Sequence, residues 1–600
     1  PAYLKLGNTE AAGSAVTSKS KFYTDGITQL TGHFAFAEPI NIYDNQAGVN
    51  IYCGVAVMIL IGLYILNSEI RFAERMSRLI LVILIAFSMN FNMLNYIWHG
   101  FHTQNGLPNR FAFLYIALLL TMGFDALRNI RKIRIPQLLL SWFLAIGFTA
   151  YCTVMQVGDR PWYVYMATLL LLMLYGILFL WYHETGKRKG LAKQTILFIL
   201  SAEMVSYGIF GVCMNGTVGR STYVNEQMAY QTMMQRDETG DDFCRSEIDS
   251  QRMRNENMCT GTNGVVLFSS TMPEATVELC RRIGLEARTN KNGYNGMTKL
   301  FNDVFGIRYL VSKRESDTLY QMTQCDYEDP LYLYRNDGAL SLGFMVSSNI
   351  KEWDIYANEE PMIVQEQFAY LATGIPFQYT LRESYSLEEG PVYIIRLHPG
   401  EQTYVDFNGN VKSLTIRAPQ GEKTINNYTD NVFNLGMVTE EGEESKANLS
   451  LVQKDGKTAP IPVKVYTCTD GEYQKVHDKL AESQMEEIEI SGSRITGKIH
   501  AAEDGTLLLT MPYDTGWTVS VDGETKETYR VGEALMGLDL AAGDHEITMD
   551  FVPDGLKQGT IITVICMLFY MIGSLIEVFY EKNESGKSLN EENEDESYVF

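Results

Sequence analysis

The sequence has no P-loop, no G-x-G-x-x-G turn after a strand, no H-E-x-x-H and no G-x-S-x-G elbow, so no motif of an ATPase, a zinc hydrolase or a serine hydrolase is present. Histidine and cysteine are scarce, eight and nine in 600 residues, and no two cysteines stand in C-x-x-C spacing. The acid pairs Asp241 with Asp242 and Asp326 with Asp329 lack the strand context of a metal site and read as surface charge, so neither a metal nor a cofactor is expected. Positive charge is short as well. With 49 Lys and Arg against 72 Asp and Glu the net charge is -23, the wrong sign for a nucleic-acid partner. Paired broken helices, the mark of a secondary transporter, are also missing.

Long apolar runs are plentiful. Six crowd into the first 214 residues, Val49 to Leu66, Leu79 to Tyr96, Phe111 to Leu127, Leu138 to Val157, Trp162 to Tyr182 and Gln194 to Met214, and a seventh lies at Gly559 to Tyr580. Each is near the ~20 residues that cross a bilayer as helix. Arginine and lysine sort the loops: Arg71, Arg75 and Arg78, then Arg128, Arg131, Lys132 and Arg134, then Lys187, Arg188, Lys189 and Lys193 mark one side as cytoplasmic, whereas the alternate loops carry only Arg110 and Arg160. The expectation is a multi-pass membrane protein. It divides into an extracytoplasmic loop at 1–48, a six-helix membrane region at 49–214, an extracytoplasmic mixed α/β domain at 215–384, an extracytoplasmic β-rich domain at 385–556, a final span at 559–580 and an acidic, disordered cytoplasmic tail at 581–600. Because about 48 polar residues precede the first run, at least one helix is expected upstream of Pro1.

Between the spans, a strand is expected at Val265 to Phe268, a helix from Pro273 to Ile283 ending at Gly284, a helix at Met297 to Val304 and strands at Ile307 to Ser312 and Pro330 to Asn336. Beyond residue 385 the pattern reads as β: Val392 to Leu397, Thr403 to Phe407, Ser413 to Arg417 and Val463 to Thr467. Near the end Trp517, Val519 and Val521 share a face before an Asp522 to Gly523 turn, and His545, Ile547, Met549 and Phe551 share another, as in a β-sandwich standing on the last helix. Trp517 sits on an inward face, which favours a core role over sugar stacking. Cys244, Cys259, Cys280, Cys325 and Cys468 fall outside the spans; Cys244 with Cys259 could close a loop, and buried free thiols are the favoured reading.

The segment richest in chemistry is "WHGFHTQNGLPNRF", Trp98 to Phe111, a loop between two spans that holds His99, His102, Asn105, Asn109 and Arg110, with Asn95 just before it. Arg110 stands just before a span, where a guanidinium can meet a phosphate in a bidentate fork and the helix N-terminus adds a favourable dipole. An ordinary interfacial belt would use Trp98 and His99 in the same places. Glu203 lies mid-helix, where a carboxyl is costly unless protonated, paired or facing a polar cavity, and function and helix packing explain it equally well. His33 could join the membrane-surface histidines.

"NYIWHGFH" followed by "NGLPNRFAFLY" resembles the signature of the bacterial YfhO family of membrane proteins, and "NIYCG", "GIRYLVS", "GWTVSVDGE" and "GDHEITMDFVP" agree with it along the whole chain. The resemblance implies the C-terminal part of a GT-C-like helix bundle and a glycosyltransferase that moves a sugar from a polyprenyl-phosphate carrier to a cell-envelope polymer such as lipoteichoic acid. Arg110, His99, His102 and Asn109 would then hold the lipid phosphate, and the partners would be the lipid-linked donor, the polymer and the bilayer. Such enzymes usually place a carboxylate in their first outer loop, a loop absent here, so the catalytic base is not assigned. Asp25, Glu38 and Asp44 are weak substitutes that read as solvated loop residues. The alternative is a non-catalytic envelope protein that binds polysaccharide or a partner enzyme.

Overall fold

The computed structural model describes residue 9 and residues 20–36, 50–101, 109–158, 160–184, 189–214, 219–235, 243–249, 253–313, 321–326, 331–385, 392–407, 410–418, 421–429, 432–437, 445–453 and 462–595. They form two units, one of residues 11–223 and one of residues 1–10 with 224–600.

The first unit is a bundle of eight α-helices among the described residues: α1 (Gly26–Leu30), α2 (Ala56–Leu66), α3 (Phe72–Asn90), α4 (Asn92–Trp98), α5 (Ala112–Asn129), α6 (Ile135–Val154), α7 (Trp162–Glu184) and α8 (Lys189–Met214). Four stretches, Ala112–Lys132, Ile135–Val154, Trp162–Glu184 and Gly190–Met214, are long and apolar enough to cross a membrane, and Leu556–Phe579 in the second unit is a fifth. Packing centres on α2, which lies against α5 and α6 with Ile59, Leu63 and Tyr64 fully buried. At its crossing with α6 the backbones come close: Ser141 Oγ donates to Ile59 O at 2.6 Å, and a Cβ on Gly62 would stand 2.2 Å from Ser141 Oγ. Small residues at such a crossing are how membrane helices gain contact when lipid supplies no hydrophobic drive.

Two of the expected spans differ from the structure. The helix expected from Val49 begins only at Ala56 and runs 11 residues, about 16 Å and too short to cross alone. Residues 50–54 enter in an irregular conformation with Gly54 at φ 104°, because the Val55 N–H that would continue the helix is taken by the Glu203 carboxylate at 2.7 Å. Irregular backbone survives at that depth only inside protein, and Ile51, Tyr52 and Val55 are indeed buried. The span expected at Leu79 to Tyr96 starts earlier, at Phe72, and breaks at Phe91, which is extended (φ -94°, ψ 116°). Phe91 bridges Phe22 as a strand would, and Asn92 takes the Lys21 backbone.

The second unit contains α9 (Arg220–Gln235, which starts in the first), α10 (Glu256–Thr260), α11 (Glu274–Arg282), α12 (Lys299–Val304), α13 (Pro361–Thr373), α14 (Asp470–Ala481) and α15 (Leu556–Asp595). Its first sheet places Arg245–Ile248 parallel to Ile307–Ser312, followed by Leu331–Arg335 and Gln321–Asp326. The strand expected at Val265 to Phe268 does not form. Buried Glu247 accepts the N–H groups of Val265 and Val266, and Asn292 takes the N–H of Leu267 (2.7 Å) and the carbonyl of Val265 (2.8 Å). Side chains thus absorb the hydrogen bonds a partner strand would use.

A sandwich follows, with Val432–Met437, Glu401–Phe407, Val463–Thr469 and Thr380–Tyr385 in one sheet and Gly421–Thr429, Asn410–Ala418, Ser445–Gln453 and Val392–Leu397 in the other. Tyr393, Ile395, Val405, Phe433, Leu449 and Val465 fill its core. A second sandwich pairs the sheet of Met485–Ser491, Arg494–Ala501, Gly543–Phe551, Trp517–Val521 and Glu524–Lys526 with that of Tyr529–Val531, Leu535–Leu540, Gly505–Pro512 and Gly343–Val346. Trp517 is half-buried, its ring 4.9 Å from that of Phe551. Asp522 and Gly523 both have positive φ, 54° and 82°, as the tight hairpin requires. Gly343–Val346 is an edge strand of a sheet built otherwise from residues beyond 500, so residues on both sides of 385 share sheets.

Two further expectations are corrected. The stretch after 385 is not β alone: α14 interrupts it and buries Tyr473, Val476 and Leu480, a three-and-four spacing that marks an amphipathic helix. The acidic tail, expected to be disordered, continues α15 to Asp595, since Glu and Lys favour helix without any core to bury. Of the thiols outside the spans, Cys280 and Cys468 are buried as expected, and Cys259 is exposed.

One surface contact gives a pH prediction. His545 Nδ1 lies 2.7 Å from the Asp522 carboxylate, which also accepts the Glu546 N–H at 2.9 Å. The bond to Asp522 raises the His545 imidazole above its usual value, with Asp544 adding to it, while the Glu546 N–H and then His545 hold Asp522 below the usual carboxylate range. The histidine contribution is present below its unfolded value near ~6.5 and fades as pH rises through the folded one; the aspartate contribution is present above ~3.9 and fades as pH falls through the folded one. His545→Gln should therefore lower the melting temperature measurably at pH 6 and hardly at all at pH 9, as read by thermal unfolding in buffers of matched ionic strength.

Candidate functional site at one end of the helix bundle

The two ends of the bundle differ in chemistry. At one end Arg78, in the second turn of α3, pairs with Asp125 on α5 at 2.6 Å and with Glu74 at 2.8 Å. The opposite end is built from amides. Asn90 accepts the Thr24 N–H at 2.8 Å and returns a bond to the Thr24 carbonyl at 2.6 Å, Asn92 Oδ1 accepts the Lys21 N–H at 3.0 Å, and Gln29 Nε2 donates to Ala86 O at 2.8 Å. Residues 20–30 are thereby fastened along α3. Asn95 Nδ2 donates both to Met89 O (3.1 Å) and to Asn109 Oδ1 (2.7 Å), which ties the end of α3 to the start of α5.

A groove of about 750 Å³ opens beside this seam, lined by Phe22, Tyr23, Gln29, Ile83, Phe87 and Tyr115 among others. It shares Leu30, Val82 and Tyr115 with a cavity of about 300 Å³ that reaches His33, Met58 and Ser141 between α2, α5 and α6. Both volumes are those of small-ligand sites, and both are mostly apolar, the lining expected for a hydrocarbon chain. His33 Nε2 lies 3.2 Å from the Tyr115 hydroxyl, and its Nδ1 is buried with no partner among the described residues.

The loop residues gather at the same end. Arg110 is exposed, and among the described residues no carboxylate pairs with it. It lies two residues before the first residue of α5 and five before Tyr115, which lines the groove. His99 sits edge-on to Phe111 at 6.0 Å, and Trp98 stacks on that ring at 4.9 Å. Burial, and behind it the charge of Arg110, holds the His99 imidazole below its ordinary value, so it stands there as a neutral hydrogen-bonding group; its Nε2 is buried without a described partner. Asn109 has φ 55° and spends its carbonyl oxygen on Asn95. His102, Asn105, Glu38, Asp44, Asp241, Asp242 and Asp329 lie outside the described residues. Asp25 lines the groove, but its carboxylate caps α1, accepting from the N–H groups of Ile27 (3.0 Å) and Thr28 (2.8 Å) and from the Thr28 hydroxyl (2.6 Å).

Glu203 is buried inside the bundle, where the hydroxyls of Tyr52 and Tyr175 and the Val55 N–H all donate to its carboxylate. Tyr207 lies against Tyr52 with ring centroids 4.3 Å apart and donates to Asn50 Oδ1 at 3.1 Å. The amides Asn90, Asn92 and Gln29 escaped the reading of the sequence. The signal of Asn90 and Asn92 lies in "NFNMLN", where with Asn95 three amides fall inside the apolar span expected at Leu79 to Tyr96, an expensive placement unless each finds a partner.

The family model described as "Bacterial membrane protein YfhO" matches residues 1–389 and 392–563. The chain belongs to the YfhO family. Among curated proteins, the "Uncharacterized protein YfhO" of Bacillus subtilis (strain 168) is 23% identical over 120 residues, 20% of this chain and 13% of that protein, so the aligned part spans a small share of the relative. Among solved structures, the β-glucuronidase from Ruminococcus gnavus in complex with D-glucuronic acid covers 27% of this YfhO-family chain and 34% of its own, at 10% identity and a TM-score of 0.11. The same enzyme in another crystal structure covers 25% and 30%, also at 10% identity and 0.11. Scores that low carry no likeness of fold.

Proposed function

We propose that this YfhO-family chain is a membrane glycosyltransferase of the GT-C type, which takes a sugar from a polyprenyl-phosphate carrier and attaches it to a cell-envelope polymer, such as lipoteichoic acid, on the outer face of the bacterial plasma membrane. The observation that carries the reading is an apolar groove lined by Tyr115, on the helix that starts just after Arg110, an exposed arginine without a described carboxylate partner. An isoprenoid chain suits the groove walls of Phe22, Phe87 and Tyr115. Its phosphate suits Arg110, with His99 beside it and Asn109 shaping the loop; His102 belongs to the same loop. Lysine and arginine clusters in the loops at the other end orient the Arg110 end outward.

In the reaction, an acceptor hydroxyl attacks the anomeric carbon of the donor. The new glycosidic C–O bond forms as the C–O bond to phosphate breaks, the leaving polyprenyl phosphate keeps the electron pair, and the hydroxyl proton passes to a base. Arg110 contributes where charge grows, on the departing phosphate, an interaction stronger in the transition state than in the ground state. Transfer is tested by supplying the purified chain, in vesicles, with a radiolabelled polyprenyl-phosphate sugar and the envelope polymer. The expected result is label in the polymer and release of polyprenyl phosphate; label that stays on the lipid would overturn the reading.

A further inference from the structure

The smaller of the two connected cavities in the bundle, about 300 Å³ between α2, α5 and α6, has one feature that a hydrocarbon chain alone does not explain. Among the described residues its lining holds no Asp, Glu, Lys or Arg, and three side chains, Ser141, Tyr115 and His33, bring polar atoms to it. Ser141 spends its hydroxyl proton on Ile59 O, and the Tyr115 hydroxyl lies 3.2 Å from His33 Nε2. His33 Nδ1 has neither solvent nor a described partner. The short helical turn Thr31–Phe34 holds the ring where it is: Phe34 is fully buried with its ring centre 5.8 Å from that of Phe148, and the rings of His33 and Tyr115 lie 5.9 Å apart. A buried nitrogen without a hydrogen bond loses its hydration and gains nothing in return, so a ligand that supplies the bond is favoured there.

The lining selects the ligand. An ion would lose its water with no opposite charge to meet it. A water molecule occupies about 30 Å³ and wants roughly two to four polar partners, so most of the cavity is left for something apolar. The imidazole narrows the polar part. In a neutral ring one nitrogen donates and the other accepts, and the Tyr115 hydroxyl can meet Nε2 in either sense. Nδ1 is therefore a donor in one tautomer and an acceptor in the other; a hydroxyl serves both, whereas a carbonyl only accepts and an ammonium only donates. Entry is from the lipid side. Leu144 on the cavity wall is 61% exposed, and it belongs to Ile135–Val154, a helix long and apolar enough to cross a membrane.

We infer that this cavity binds a neutral lipid alcohol from the bilayer, an apolar chain whose hydroxyl bonds to His33 Nδ1. The inference does not rest on the transferase reading, since neither a phosphate nor a sugar enters it. In the test, the full chain in phosphatidylcholine nanodiscs is labelled with a photoactivatable farnesol, and the modified peptides are identified by mass spectrometry. Plain farnesol, dioctanoylglycerol and farnesene, a hydrocarbon without the hydroxyl, serve as competitors. The expected result is saturable label near Met58 on α2 and Phe148 on α6, displaced by an alcohol roughly tenfold more effectively than by farnesene. The better competitor of the two alcohols names the source, an isoprenoid alcohol or a glyceride. His33→Phe keeps a ring in place and should weaken labelling roughly tenfold, and Leu144→Trp at the exposed mouth should abolish it. Tyr151→Phe, exposed on α6 and outside the lining, should change nothing. Melting temperatures measured in parallel confine the comparison to folded variants. Absence of saturable label, displacement by farnesene as effective as by the alcohols, or wild-type labelling in folded His33→Phe or Leu144→Trp would each overturn the proposal. Saturable label without any transfer by the wild-type chain would remove the transferase reading and leave the alcohol site standing.

Discussion

Replacing Arg110 with alanine should abolish transfer of sugar to the envelope polymer while leaving the amount of protein in the membrane and its melting temperature unchanged. Its side chain is exposed, and among the described residues no carboxylate pairs with it. A guanidinium fork on a phosphate makes two charge-assisted bonds. With hydrogen bonds to charged groups worth ~1.5–3 kcal/mol each and a discount for solvent at an exposed site, the loss is about 3 kcal/mol, or roughly a hundredfold in rate. Arg110→Lys keeps the charge but not the fork and should fall between wild type and alanine. The readout is polymer sugar content in cells that express each variant as their only copy, with membrane levels measured in parallel. Wild-type sugar content in Arg110→Ala would remove this residue from the site.

Glu203→Ala should be the most destabilising single change in the bundle. The carboxylate joins α8 to Tyr175 on α7 and to Tyr52 and Val55 ahead of α2, and alanine leaves three donors without their acceptor. At ~0.6–1.7 kcal/mol for each hydrogen bond inside a membrane protein, the cost is about 2–5 kcal/mol. Glu203→Gln should retain most of the stability and the transfer activity, because an amide oxygen can accept two of the three bonds and a tyrosine hydroxyl can reverse to accept from the amide nitrogen. Thermal unfolding in detergent measures both variants. A Gln variant as unstable as the Ala variant would show that the negative charge itself holds the bundle; a stable Gln variant without transfer would give the carboxylate a part in the chemistry.

The membrane character and much of the β architecture were legible because they rest on period and composition. Ile307 to Ser312 and Val392 to Leu397 form strands with the bounds the pattern gave, and the Asp522 to Gly523 turn is where the hairpin chemistry placed it. Failures came where a distant side chain replaced a local partner. Glu247 and Asn292 bind the backbone of residues 265–267 in place of a neighbouring strand, Glu203 delays the start of α2 from 148 residues away, and no window of local sequence contains both members of such a pair. The loop around Arg110 stood out because His, Asn and Arg crowd between two apolar runs. The groove did not, since residues 22–30 and α3 lie far apart in sequence and meet through amides whose partners are mostly backbone atoms.

The most direct measurement is crosslinking of a photoactivatable polyprenyl phosphate added to the outer leaflet of vesicles that hold the purified chain, with labelled peptides identified by mass spectrometry. The expected labels fall on residues 82–90 of α3 and around 110–115 at the start of α5, and they disappear when unlabelled polyprenyl phosphate is in excess. Label confined to the Arg78 and Asp125 end of the bundle, or incorporated only from the inner leaflet, would contradict the central claim.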